Sequence, residues 1–172
     1  MPALPRRIAL LASLAALTAT GRPSRADPVP RADALSGQHP AAYYRAAAEL
    51  FSSGQRSDAV FLFYLGQLRF RTHLAARPNL PPDQDRALFA SLSESVGRPA
   101  NEWAFGDIPA LIRTLDAVLV YDARNPDTFT SPTQFPTPSR QTRAGLQGMR
   151  DEIGRRADEI RRERASRGLA NR

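Results

Sequence analysis

Apolar residues recur at helical spacing through most of this chain. After His39-Pro40, residues 41–53 read as a helix, with Pro40 at a position where its missing N–H costs nothing. Gly54 ends that helix as a left-handed C′ residue. A second helix is expected over 57–77, capped by Ser57 or Asp58. Its Ala59-Val60-Phe61-Leu62-Phe63-Tyr64-Leu65 run leaves no polar face for two turns, and Leu68, Phe70 and Leu74 carry it beyond strand length. A helix apolar all round belongs at the centre of a domain.

Pro81-Pro82-Asp83 then reads as a stiff turn and cap. Leu88, Phe89, Leu92 and Val96 mark one face of a helix ending at Gly97. Pro99 opens a short piece over 101–105, and Asp107 caps the next helix. Ile108, Leu111, Ile112, Leu115, Val118 and Leu119 form a stripe of helical period that stops at Asn125-Pro126. Pro126, Pro132, Pro136 and Pro138 punctuate a Thr/Ser-rich loop over 126–139, which Phe129 and Phe135 pin to the body. In the last helix, expected from Arg140, Leu146, Met149, Ile153, Ala157 and Ile160 make one narrow apolar stripe. Past Ile160 a charge-dense tail with only Leu169 to bury is expected to fray. The fold class is therefore all-α, with about five helices around a central apolar hairpin.

The N-terminus has a different pattern. Arg6 and Arg7 precede an uncharged stretch over 8–20, too short for the ~20 residues of a membrane span. This is the order of a secretory signal, with Ser24-Arg25-Ala26 placing small residues for cleavage before Asp27, Ala19-Thr20-Gly21 a looser neighbouring site, and an uncleaved N-terminal anchor the alternative. The expected organisation is a signal at 1–26, an extended leader at 27–38, a helical core at 39–125, the loop at 126–139 and a C-terminal arm at 140–172. The mature chain is expected to be periplasmic or secreted, with no stable membrane insertion after cleavage.

Charge alters the picture mainly through this division. The chain of 172 residues has a formal charge of +7, and all 24 of its cations are Arg. Four Arg and no acid lie in 1–26, leaving +3 on the rest. With Arg scattered until the last thirty residues, no nucleic-acid footprint results. The absence of Cys excludes disulfides, Cys-ligated zinc and Cys nucleophiles. There is no phosphate loop, H-E-x-x-H or G-x-S-x-G. The two histidines, His39 and His73, stand 34 positions apart, and His73 is expected beside Arg69 and Arg77 as a surface or half-buried residue. No metal and no cofactor is expected.

One constellation follows a known pattern. Tyr43, Ala46, Ala47 and Leu50, then Gly54, then Ala59, Phe63 and Gly66 fall at the spacing at which small residues let two helices approach and large ones fill the gaps. Residues 43–71 thus resemble one tetratricopeptide or Sel1-like hairpin, with Ala46 in place of a larger apolar residue, Arg71 in place of Pro, and no second copy 34 residues on. The resemblance implies an antiparallel helix pair. Residues 63–71, 101–107 and 168–172 also look like segments of uncharacterised bacterial exported proteins of this size.

The densest mid-chain cluster is Glu102, Trp103, Phe105 and Asp107. A carboxylate held against aromatics can act as a general acid, so Glu102 with Asp107 or Glu94 is the candidate for a carboxylate-dependent hydrolase. The competing assignment has Trp103 and Phe105 anchoring a short helix, Glu102 facing water and Asp107 capping. That second assignment leaves an exported, non-catalytic protein–protein interaction module, an adaptor or immunity-type binder, as the expected function. Its interaction candidates are Trp103, Phe105, Met149 and Ile153, and a protein partner is expected. Tyr121-Asp122-Ala123-Arg124 reads as a solvated face with i,i+4 pairs.

Overall fold

The computed structural model describes residues 28–172, and every regular element among them is helical. The proposed signal at 1–26 and its cleavage site lie outside the described residues. In chain order the helices are α1 (Pro28–Ala34), α2 (Ala41–Ser52), α3 (Arg56–Ala76), α4 (Ala87–Leu92), α5 (Arg98–Ala104), α6 (Ile108–Arg124), α7 (Pro136–Arg155) and α8 (Ala157–Ser166). Expecting about five helices was an approximation, because the chain divides several of the apolar stretches. None of the described helices is long and apolar enough to cross a membrane.

Helix α3 is the axis. Its 59–65 run is buried on all sides, as a helix without a polar face must be. Helices α2, α5, α6 and α7 pack around it, and α1 adds a further contact. The α2–α3 pair is the tightest contact, and its closeness depends on Gly66. A Cβ placed there would lie 2.6 Å from Tyr43 Cβ and 3.3 Å from the Tyr44 ring. The tyrosines therefore lie flush on the α3 backbone, and Ala47 and Ala59, both about 1% exposed, keep the rest of the seam thin.

Gly54 turns the chain between the two helices at φ +85, in the left-handed region, with open space around its α-carbon. Gln55 N–H donates to the Leu50 carbonyl and Gly54 N–H to that of Phe51, which closes α2. Gly54→Val is therefore expected to act through backbone strain alone. It should cost roughly 1–2 kcal/mol, read as a lower midpoint in thermal melts with an unchanged far-ultraviolet helix signal.

Several expectations give way at the termini of elements. The 27–38 leader is not extended: α1 forms there, with Ala32 buried. Its own sequence carries little apolar period. Two tyrosines hold it from outside, Tyr43 OH donating to the Leu35 carbonyl at 3.1 Å and Tyr121 OH to Asp33 at 2.5 Å. Neither Ser57 nor Asp58 caps α3, which begins at Arg56, and Asp58 lies buried inside the first turn. The helix expected to end at Gly97 instead widens into one π turn, Ser93–Gly97, and runs on into α5.

The last helix starts at Pro136 rather than Arg140, because Pro136 and Pro138 occupy the first turn, whose N–H groups have no intrahelical acceptor. It breaks at Arg156 (φ −101, ψ 15), and α8 continues to Ser166. The tail expected to fray past Ile160 is instead helical and then docked. Arg172 N–H donates to the Gly106 carbonyl at 2.6 Å and Asn171 Nδ2 to that of Arg161 at 3.0 Å.

Candidate functional site

Side chains that could act on something outside the molecule gather at a few places, of which two stand out. The first is a groove of about 670 Å³ between α5 on one side and α7, α8 and the chain end on the other. Phe105, Ile153, Ile160 and Leu169 supply its apolar lining. Its rim is charged but largely self-paired. Arg98 Nε lies 2.7 Å from Glu94, Arg156 bridges Glu152 and Glu159, and Arg167 bonds Glu163. An apolar centre inside a polar rim is the usual anatomy of a protein interface.

The candidate residues from the sequence divide around this groove. Glu94 and Glu102 both line it, together with Phe105 and Ile153. Glu94 is engaged by Arg98 on the solvent side, and Glu102 is exposed. Asp107 lies on the other side of the α5–α6 turn, where its carboxylate accepts Ala110 N–H at 3.0 Å and caps α6. Met149 belongs to a separate cleft between α3, α4 and α7, with Leu74, Phe89 and Leu146. Trp103 is half-buried and lines a third cleft of about 530 Å³, together with Asp107, Leu111 and Arg172. The Arg172 guanidinium stacks on its ring at 4.0 Å and Arg172 Nη2 donates to its carbonyl at 2.7 Å.

The second place is a hub where four segments converge. His39 comes from the α1–α2 connection, His73 and Arg77 from the end of α3, Asp85 from the turn before α4, and Phe129 and Thr130 from the loop before α7. His73 is only 4% exposed, which corrects its expected surface or half-buried position. Its Nε2 lies 2.7 Å from Asp85 Oδ2, and Arg77 Nη1 lies 2.8 Å from its Nδ1. Arg77 Nη1 also donates to Thr130 Oγ1 at 3.1 Å, and its guanidinium stacks on Phe129 and Phe135. Burial pushes the His73 imidazole below its ordinary value, the Asp85 bond opposes that, and Arg77 adds to it. The hydrogen bond from His73 holds the Asp85 carboxyl below the usual carboxylate range.

His39, His73 and Asp85 offer three donor atoms within 4.8 Å of one another, a spacing that a divalent metal could bridge. The hydrogen bonds on the far side of each ring oppose it. A metal-bound imidazole normally keeps a proton on its other nitrogen and donates it. Here Arg77 is always a donor, so His73 Nδ1 must accept. His39 Nδ1 likewise accepts Ala41 N–H at 3.2 Å. Both rings therefore carry their proton on Nε2; that of His73 bonds Asp85, whereas His39 Nε2, 3.4 Å from Oδ1, is buried without a hydrogen-bond partner. The donor set suits a carboxylate between two imidazoles better than a cation.

Sequence reasoning did not find this hub. The signal lay in the hairpin itself: with the turn at Gly54, the start of α2 and the end of α3 come back to the same level, which places residue 39 beside residue 73. Asp85 arrives only through the Pro81-Pro82 return, for which local pattern gives no direction. The other missed center is Asp122, expected on a solvated face. It is bonded by Arg143 at 2.6 Å and approached by Arg69 at 3.5 Å, while its neighbour Tyr121 is buried.

Comparison of the chain with protein-family models, with curated proteins and with solved structures finds no match in any of the three.

Proposed function

We propose that the protein is an exported, non-catalytic module that binds another protein through the groove between α5 and the α7–α8 arm. The observation that carries this reading is the apolar lining of Phe105, Ile153, Ile160 and Leu169 inside a rim whose charges are mostly paired with each other. Such a rim is inexpensive to approach, since its ions are already compensated, and the apolar floor gains from being covered. The partner contributes a short row of apolar side chains, as an amphipathic helix does when it lies in a groove. Helices 43–71 act in this reading as a single tetratricopeptide- or Sel1-like unit that serves as scaffold, since its small residues are spent on the α2–α3 seam. Export rests on the sequence of 1–26. An adaptor or an immunity-type binder both fit this kind of surface.

Of the candidate acids, two already have structural partners, while Glu102 is exposed on the groove wall. Asp107 is committed to its cap, and Glu94 to Arg98. The test places a photo-crosslinking residue at Ile160 in the groove and, as control, at Ala48 on the exposed face of α2. A partner captured from Ile160 and not from Ala48 is then purified and its affinity measured. Phe105→Arg and Ile160→Glu are each expected to weaken binding about tenfold or more, on the order of 1.4 kcal/mol, in variants whose helix signal shows that they remain folded. Equal capture from both positions, or full affinity in both variants, overturns the groove assignment.

A further inference from the structure

We infer that His39, His73, Arg77 and Asp85 form an acid-released clasp, in which proton uptake by His73 evicts Arg77 and frees the loop at 128–135 from the end of α3. His73 has one nitrogen available to a proton. His73 Nε2 already carries hydrogen toward Asp85, so an incoming proton must go to Nδ1. That atom now accepts from Arg77 Nη1 at 2.8 Å. Once protonated, it becomes a donor facing a donor and a cation facing a cation. Arg77 must move, whereas Asp85 need not, because its bond to Nε2 becomes a charge-assisted one.

What Arg77 leaves behind is the loop. Its guanidinium is the shared contact of Thr130, Phe129 and Phe135. The loop keeps its internal shape without it, since the buried Asp127 carboxylate accepts both Phe129 and Thr130 N–H at 3.1 Å. The released segment therefore moves as a unit. Thr130 Oγ1, 3.5 Å from His73 Nδ1, loses its Arg77 donor in the same step. The charged and titratable groups facing His73 are Asp85 from the turn, His39 from the α1–α2 connection and Arg77 from its own helix. His39 adds a second ring beside the same carboxylate, edge-on to Phe70, His73 and Phe129.

The sign of the pH dependence follows from linkage. The fold favours neutral His73, so the unfolded chain takes up the proton more readily. The stabilisation is complete above the ordinary imidazole value of about 6.5 and is lost as pH falls below it. The Asp85 contribution persists to lower pH, because its carboxyl is held below its usual range. Between those limits the loop opens while the helical body stays folded.

Nuclear magnetic resonance of the mature chain between pH 8 and 5 tests this. The expected result is that amides of 128–135 and the Arg77 side-chain N–H shift together with the His73 ring, at a shared midpoint below 6.5. In His73→Gln those loop shifts should vanish. Should that variant fail to fold, Arg77→Gln serves instead: the His73 midpoint should rise, because the opposing cation is gone, and the loop should no longer follow it. Loop amides that stay fixed while His73 titrates overturn the clasp. So does zinc binding at pH 7.5 with both imidazole Nε2 atoms as ligands, since that requires the opposite ring tautomers.

Discussion

Arg69→Met is expected to cost about 3–5 kcal/mol, the range found when one member of a buried charged network is removed. Arg69 is 2% exposed and lies between the rings of Tyr43 and Tyr121. Its guanidinium bonds the Tyr43 hydroxyl, donates to the Asn125 carbonyl at 2.8 Å and reaches Asp122 at 3.5 Å. Met fills similar space but satisfies none of these groups. The Tyr43 hydroxyl, which donates to Leu35, keeps that bond but loses the donor on its other side. Asp122 keeps Arg143 alone, on its more solvated side. Against a typical total of about 5–15 kcal/mol, this loss is large, and the melting temperature should fall by roughly 10 °C or more. Arg143→Met is the contrast. That side chain is 30% exposed, so its loss should cost no more than about 1 kcal/mol. A melt of Arg69→Met within experimental error of Arg143→Met would show that burial does not govern the network.

Gly66→Ala is expected to be nearly as damaging, for a steric reason. The added carbon would sit 2.6 Å from Tyr43 Cβ, an atom fixed to its backbone that cannot rotate away. Helices α2 and α3 must part by about an ångström along the tightest seam of the fold, or the tyrosines must tilt. Overpacking of this kind costs about 1–3 kcal/mol, which more than offsets the roughly 1 kcal/mol that Ala gains over Gly in a helix. A surface Gly→Ala in α7, such as Gly148, with open space around it, should stabilise by up to that amount. Opposite signs of the two melting shifts are the expected outcome. A stabilised Gly66→Ala would mean that α2 does not lie on α3 at this register.

These two residues show how much of the molecule was legible beforehand. Gly66 was readable: a small residue at hairpin spacing opposite Tyr43 needs only period and size to be recognised, and the unbroken 59–65 run told equally well that α3 is central. Arg69 was not. It occupies the same helix, seven positions before Ala76, and nothing local distinguishes it from Arg71, which is exposed. The groove was half legible. Glu94, Glu102 and Phe105 were grouped from the sequence and Ile153 was singled out apart from them, but that α7 brings Ile153 to α5 is a tertiary contact that no local pattern records.

The amino-acid sequence by itself determined the all-α class, the central hairpin, the turn at Gly54 and the cap at Asp107. Each of these depends on residues within one or two turns of each other, where period, side-chain volume and backbone freedom act directly. The tertiary structure alone decided the partners of the polar groups. His73 meets Asp85 and Thr130, Arg69 meets Asp122 and Asn125, and Arg172 meets Trp103, each across a return of the chain. Period records which face of a helix is buried, but it carries no information about which distant segment covers that face. A charged side chain reads the same in the sequence whether water or another residue solvates it. Only the packing of α3 against the loop and the arm settles which of the two it is.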